Sequence, residues 1–507
     1  MTRLTKRSFG IRVAVIVSIA VMMLYSFVIY SYPTRVVAMG NLRDTEWGGG
    51  QAEEEGFEMS DGLDRPAQPI EPFLHRKHAF NCAAIIDGDQ TEASRAAAAG
   101  RPRQTEYEMA NIFANCTLLR QRYYYSLEPM SKQEALFPLA YVILLNEHLE
   151  QIELLFNAIY APQNFYCFHV DSKAPFLFHY AIRKLADCFP EQAFLFDRAP
   201  FPIVRESSNT LHAIVECFKK LLSLKRTPAW RYALTLQGHD FPLRTNREIV
   251  EILRLHNGMN DFELSEGQKE RYSTQYEPTF DKLGQPVGMT EVNKTEEEKE
   301  KIPDSRLVVY KGNVAGSFSR SFVEFILNNN ISKAYLKWLD HAYLPDELYF
   351  TTLNHNEFLQ APGGYPGRCL DEARDGKMKP WISRFSIWMW YADDFEGQNS
   401  LRNISCKGEY RNSVCLLQSA DLPMLVRRPE LFLNKFWIAK DPVAIDCMHE
   451  LLHNRTLEQA KEQNWILPNL DYYINLAAVK FGTWLTENGN KKNATEFRCV
   501  FCKNCEH

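Results

Sequence analysis

Four places in this chain have the residue types and setting from which chemistry can be read. Asp171 closes the run Phe165-Tyr-Cys-Phe-His-Val-Asp171, a strand of aromatic and β-branched residues. A carboxylate at the carboxyl end of a strand in an α/β sheet is a usual place for reading a nucleotide, and it serves equally well as a cap for the next turn. Gly238-His239-Asp240 closes a second apolar run, Tyr232–Gln237, in the same manner. Pro345-Asp346-Glu347 places a proline at a helix start and two acids in its first turn. Acids are favoured there by the helix dipole alone, while a carboxylate is also what a proton transfer requires. The tail Cys499-x2-Cys502-x2-Cys505-x-His507 has the residue types of a zinc site.

These residues need a scaffold, and strand and helix patterns alternate from about Phe137 onward. Strands are expected at 140–145, 165–170, 193–196 and 232–237. Helices are expected at 148–160, 177–188, 207–224 with Ser207 or Ser208 as N-cap, and 246–255 capped by Asn246. Such alternation implies an α/β fold with a mostly parallel sheet covered on both faces. The second half is less regular. A charged loop or exposed helix is expected at 290–302, short strands at 308–310, 317–318 and 413–417, and helices at 321–327 and 442–452.

The ends define the setting. Residues 13–32 are apolar and uncharged, close to the ~20 residues that span a bilayer core. Arg3, Lys6, Arg7 and Arg12 precede them, which keeps the N-terminus cytosolic and the rest lumenal. We expect a type II signal anchor rather than a cleaved leader. The expected organisation is a cytoplasmic tail at 1–12, an anchor at 13–32, a flexible stem at 33–110, a catalytic domain at 111–490 and a cysteine-rich tail at 491–507. A lumenal head admits N-glycosylation at Asn115, Asn293, Asn330, Asn403, Asn454 and Asn493, and oxidation of the twelve cysteines. Disulfides rather than zinc are then expected in the tail. The net charge of −5 and the lack of a basic run with interleaved aromatics speak against nucleic acid as a partner.

Several ordered motifs now combine. Pro138-Leu-Ala-Tyr141, the run through Asp171, Gly238-His-Asp-Phe-Pro-Leu-Arg-Thr-Asn246, Leu344-Pro-Asp-Glu347, Ser413-Val-Cys415 and Leu431-Phe-Leu-Asn-Lys435-Phe through Cys447 resemble the core-2/I-branching β-1,6-N-acetylglucosaminyltransferases. The resemblance extends from about Cys82 to Leu457. It implies a GT-A-like (Rossmann-like) head of a Golgi membrane enzyme that transfers a sugar from a UDP-sugar to an acceptor glycan with inversion, in O-glycan core branching.

The same resemblance assigns roles. Glu347 is the implied base, with Asp346 as a neighbour that caps or orients it. The family works without a metal, so no cofactor is expected and basic side chains take the metal's place at the diphosphate. Lys435 is the implied phosphate lysine. The family's arginine before Ser-Val-Cys is replaced here by Asn412, which leaves Arg411, Arg427 or Arg428 to supply the second cation. Asp87-Gly88-Asp89 has the acid–x–acid pattern of metal-using relatives of the fold, but it precedes the first strand and is expected to be a decoy. Asp171 and Val142, on the adjacent strand, are expected at the nucleotide, and Asp240 at the donor site, either orienting the sugar or bracing the loop. Glu263, Arg271, Lys269, Trp388 and Trp390 are the implied acceptor contacts. The implied bridges are Cys82–Cys447, Cys116–Cys188, Cys167–Cys217 and Cys406–Cys415. Expected partners are a UDP-sugar, an acceptor glycan on glycoproteins, the membrane and, as an open option, a second copy of the chain. Two alternatives stay open: the same fold using UDP-glucose or UDP-xylose, and a non-catalytic glycan-binding relative.

Overall fold

The structure is a computed structural model, and it describes residues 80–196, 201–267, 269–273, 275–282, 286–295, 301–365, 381–389, 404–462 and 465–487. Its centre is a six-stranded sheet. The strands are β1 (Leu139–Leu145), β2 (Phe165–Val170), β3 (Ala193–Leu195), β4 (Tyr232–Gln237), β6 (Asp261–Phe262) and β11 (Gly316–Ser319). Their order is β3-β2-β1-β4-β11-β6. β1 to β4 run parallel, and β11 is antiparallel to both of its neighbours.

Every residue of β1 and β2 is buried, as expected of parallel strands covered on both faces. The pleat sends alternate side chains into separate cores. Tyr141, Ile143, Tyr166 and Phe168 join one core with the helix Leu149–Ile159. Ala140, Val142, Phe165 and Cys167 join the other with the helix Asn209–Ser223. The strand order reverses between β1 and β4, and the carboxyl ends flanking such a reversal form the usual ligand crevice of open α/β sheets.

Smaller sheets carry the remaining site residues. β5 (Asp240–Pro242), β12 (Arg384–Phe385) and β15 (Phe432–Asn434) form one, with Asn434 opposite Asp240. β7 (Ser265–Glu266) pairs with β10 (Tyr310–Lys311), and β13 (Tyr410–Arg411) with β14 (Val414–Cys415). β8 (Gln275–Phe280) and β9 (Pro286–Val292) form a hairpin, so 290–292 is strand rather than the loop or helix expected there. The helix expected at 442–452 continues to Lys461.

The expected stem needs correction over 80–110. Helices occupy Cys82–Asp87, Gln90–Ala99 and Glu106–Phe113. Ile85, Ala96 and Met109 are buried in the first core. Arg101 pairs with Glu150 at 2.7 Å and with Asp446. These helices are too short, and too rich in alanine, to display an apolar period that survives inspection of the sequence. Asp87-Gly88-Asp89 is a link between two of them. Gly88 takes the left-handed conformation at φ 100° and ends one helix, and the Asp89 carboxylate accepts the Thr91 and Glu92 amides of the next. A capping role fully accounts for this acid pair.

Two caps also differ from expectation. Thr245, not Asn246, caps its helix, in a capping box with Glu248. Ser208 precedes the helix Asn209–Ser223 but donates its hydroxyl to Asp340 at 2.5 Å instead of capping. No helix among the described residues is long and apolar enough to cross a membrane. The anchor expected at 13–32 lies outside them, as do the 491–507 tail and Cys369.

Candidate active site

Three chain segments meet at Glu347. Leu344 adopts φ 51° and turns the chain into the short 3-10 segment Pro345–Glu347. The entry is fixed by hydrogen bonds that the backbone amide of Tyr343 donates to the Arg271 carbonyl (2.8 Å) and that of Leu344 donates to the Glu206 carbonyl (3.2 Å). The Glu347 carboxylate meets the Arg271 guanidinium at 2.5 Å and the Lys311 ammonium at 3.7 Å. The Gly312 amide donates to the Glu347 carbonyl at 2.7 Å. A Cβ on Gly312 would lie 2.2 Å from the Glu263 carbonyl oxygen, so glycine is what allows the Glu263 backbone to approach. Thr351 closes the group by donating to that carbonyl at 2.9 Å. Asp346 beside Glu347 is partly buried, and one of its carboxylate oxygens is shielded from solvent without a hydrogen-bond partner. Burial first, and then the Glu347 charge, raise its carboxyl to about 7.

The second group is cationic. Lys435 follows β15, and its ammonium donates to the Arg411 carbonyl at 2.8 Å. Burial lowers Lys435 to about 8, and the neighbouring charges of Arg411 and Arg205 add to that. The Arg411 guanidinium lies 3.7 Å above the Trp437 ring. Trp437 stacks on His239 at 4.3 Å, and His239 lies 3.3 Å from the Glu147 carboxylate. Glu147 follows β1 and His239 follows β4, so this group stands at the strand-order reversal. Asp240 braces it from below. Its carboxylate meets Arg384 at 2.8 Å, the Gln237 amide at 2.6 Å and the Asn434 side-chain amide at 2.7 Å. Among the described residues no carboxylate pairs with the Lys435 ammonium or the Arg411 guanidinium, and Glu147 meets the group at His239. Such cations suit an anionic group that delivers charge to them.

The family model of the core-2/I-branching enzymes matches residues 139–424. The chain is 30% identical over 392 residues to the human β-1,3-galactosyl-O-glycosyl-glycoprotein β-1,6-N-acetylglucosaminyltransferase, covering 75% of this chain and 87% of that protein. The enzyme of the same name from Bovine herpesvirus 4 (strain LVR140) is 30% identical over 393 residues, covering 76% and 84%. The rat enzyme of that name numbered 3 is 30% identical over 391 residues, covering 76% and 85%. This chain belongs to the core-2/I-branching enzyme family. It is a glycosyltransferase.

The positions expected from branching-enzyme motifs distribute as follows. Glu347, Arg271 and the Glu263 backbone come together, as do Lys435 and Arg411. Arg428 is engaged by Glu430 and lies 4.4 Å over Phe385, while Arg427 lines a separate cleft with Arg244 and Arg455. The Asp171 carboxylate accepts the Lys173 ammonium at 2.9 Å and the Ile203 amide at 3.2 Å. It thereby ties down the segment that brings Arg205 to Lys435. Val142 requires correction. It is wholly buried between Cys167 and Thr235, so it packs beneath the crevice and presents no surface to a nucleotide. Lys269 is exposed, and its carbonyl accepts the Tyr272 amide at 3.1 Å. Trp388 bridges to Val414 on the β13–β14 hairpin, and Trp390 lies outside the described residues.

All four disulfides implied by the resemblance are present, with Cα separations of 5.0 Å for Cys82–Cys447, 5.2 Å for Cys116–Cys188, 5.7 Å for Cys167–Cys217 and 5.7 Å for Cys406–Cys415. Asn115, Asn293, Asn330 and Asn454 are exposed, whereas Asn403 and Asn493 lie outside the described residues. No cluster of three or more His, Cys, Asp or Glu suited to a metal occurs among the described residues.

Sequence reasoning missed Arg205, Lys311, His239 and Trp437 as members of these groups. Lys311, in the two-residue strand β10, and Arg205, outside any strand or helix, carry no motif. His239 lies inside the Gly238-His-Asp motif and Trp437 two residues after Lys435, and that proximity was the available signal for both.

Proposed function

We propose that this glycosyltransferase moves N-acetylglucosamine from UDP-N-acetylglucosamine to a hydroxyl of an O-linked glycan in β-1,6 linkage, inverting the anomeric carbon and using no metal. The observation that carries the reading is the division of the site into a carboxylate held by Arg271 and Lys311 and a separate cation group around Lys435 and Arg411. Inverting transfer needs a base at the incoming hydroxyl and charge stabilisation at the leaving group. Glu347 takes the proton of the acceptor hydroxyl. The bond from that oxygen to the anomeric carbon forms as the bond to the phosphate oxygen breaks. The electron pair departs with UDP, whose new charge meets Lys435 and Arg411. Arg271, Glu263 and Trp388 hold the acceptor sugar, whose hydroxyl edges and C–H faces suit charged and aromatic partners. Asp171 borders the uridine pocket, and Asp240 fixes the loop beneath it. The relatives' names support the donor, linkage and acceptor class. The apolar run at 13–32 supports a type II Golgi enzyme with its head in the lumen.

A panel of UDP-sugars, tested with O-glycan acceptors in excess chelator, checks donor and metal together. N-acetylglucosamine transfer undiminished by the chelator is expected. Preferential transfer of glucose or xylose would replace the donor reading, and activity that appears only with added divalent metal would overturn metal independence.

A further inference from the structure

The cation group contains a device that the donor reading does not itself require, and the following inference rests on that reading. β13 and β14 are joined by Asn412 and Ser413 alone, at φ 50° and 63°. A two-residue loop with both residues left-handed is the favoured hairpin turn. It makes Arg411 the last residue before the turn, and Arg411 is the residue whose guanidinium reaches the Lys435 neighbourhood. The hairpin is exposed at Arg411, and an exposed arginine loses considerable rotamer freedom on gripping a ligand. Here the side chain is already placed, 3.7 Å above a Trp437 ring that is itself only 7% exposed. Trp437 has a fixed backing. His239 stacks on it with an interplanar angle of 21°, and His148 meets its edge at 5.2 Å and 82°. Among the described residues no carboxylate pairs with Arg411 or with the Lys435 ammonium. The guanidinium is therefore held by a ring face, which leaves its hydrogen-bond donors directed elsewhere.

We propose that Trp437 is a positioning residue that holds Arg411 ready for the diphosphate of the nucleotide donor. The stack substitutes a preorganised arginine for one that must be ordered on binding. It also accounts for how an arginine at 411, rather than at 412, joins Lys435.

The test uses the full-length chain in detergent, with UDP titrated by calorimetry and uridine by NMR. Arg411→Ala and Trp437→Ala should each weaken UDP by about tenfold, the scale of a partly desolvated cation–π contact. The double variant should be no weaker than Arg411→Ala, Trp437→Phe should restore most of the affinity, and uridine binding should stay within about twofold throughout. The inference is overturned if Trp437→Ala leaves UDP unchanged while Arg411→Ala weakens it. It is also overturned if the two losses multiply in the double variant, or if Trp437→Ala weakens uridine as much as UDP. An Arg411→Ala variant that binds UDP normally rejects instead the reading of Arg411 as a diphosphate cation, and Trp437's role falls with it.

Discussion

Glu347 and Asp346 are adjacent in sequence yet have different environments. Glu347 faces two cations, whereas Asp346 is partly buried with one carboxylate oxygen shielded from solvent and unpartnered. Replacing Glu347 by Gln keeps the shape and removes the proton acceptor. Turnover should fall by at least about 100-fold, with UDP affinity and thermal unfolding unchanged. Full turnover in that variant would remove Glu347 from the chemistry. Asp346 makes a separate prediction. Its carboxyl is raised from 3.8 to about 7 in the folded chain. Between these values the folded state holds a proton that the unfolded state has released, so stability falls as pH rises from about 4 to 7, by about 1.4 kcal/mol per pH unit at most. Asp346→Asn removes this dependence. The variant should therefore gain stability relative to the parent between pH 4.5 and 7.5, and parallel denaturation profiles would refute the assignment.

At the scale of elements, β5 and β12 are joined by a buried ion pair. Asp240 and Arg384 are both fully buried, and burial pushes the carboxyl up and the guanidinium down while each charge supports its partner. Removing one member strands the other, a loss of about 3–5 kcal/mol. Asp240→Ala should accordingly lower the denaturant midpoint strongly. If Asp240 instead served the donor directly, UDP binding would suffer with little change in stability. Motif and strand patterns made these elements legible. β2 and β4 fall where the apolar runs place them, because a strand buried on both faces must be apolar throughout. The Pro-Asp-Glu segment was legible as a helix start from its residues, and as a site through the family resemblance. What distinguishes its two acids is burial and the arrival of Arg271 and Lys311 from far along the chain.

Across the whole molecule, the helices of 80–110 belong to the catalytic core. Cys82–Cys447 closes a separation of 365 residues, and Arg101 adds a buried link. Cys82→Ser should cost about 2–5 kcal/mol, read as a lowered unfolding midpoint in the absence of reductant. A chain begun at residue 111 should fail to accumulate as folded protein. Acid sensitivity belongs to this scale too. His256 and His355 are fully buried, and burial lowers both to about 4. They stay neutral in the folded chain while the unfolded chain binds protons below about 6.5, so each withdraws about 1.4 kcal/mol per pH unit as pH falls from 6.5 toward 4. His256→Asn with His355→Gln should flatten the loss of stability over that range, measured against the parent by pH-dependent denaturation.

The sequence by itself determined the family and the central strands, because these follow from ordered motifs and from continuous apolar runs that tolerate only one placement. The cysteine pairs came through the family resemblance alone, since spacing leaves their connectivity open. Only the tertiary structure decided which charged residues share a site. It placed Arg205 and Arg411 beside Lys435, set Lys311 against Glu347, buried Val142 and folded 80–110 into the head. Those outcomes depend on which segments of distant sequence meet, and a charge gives no local sign of the partner it will face.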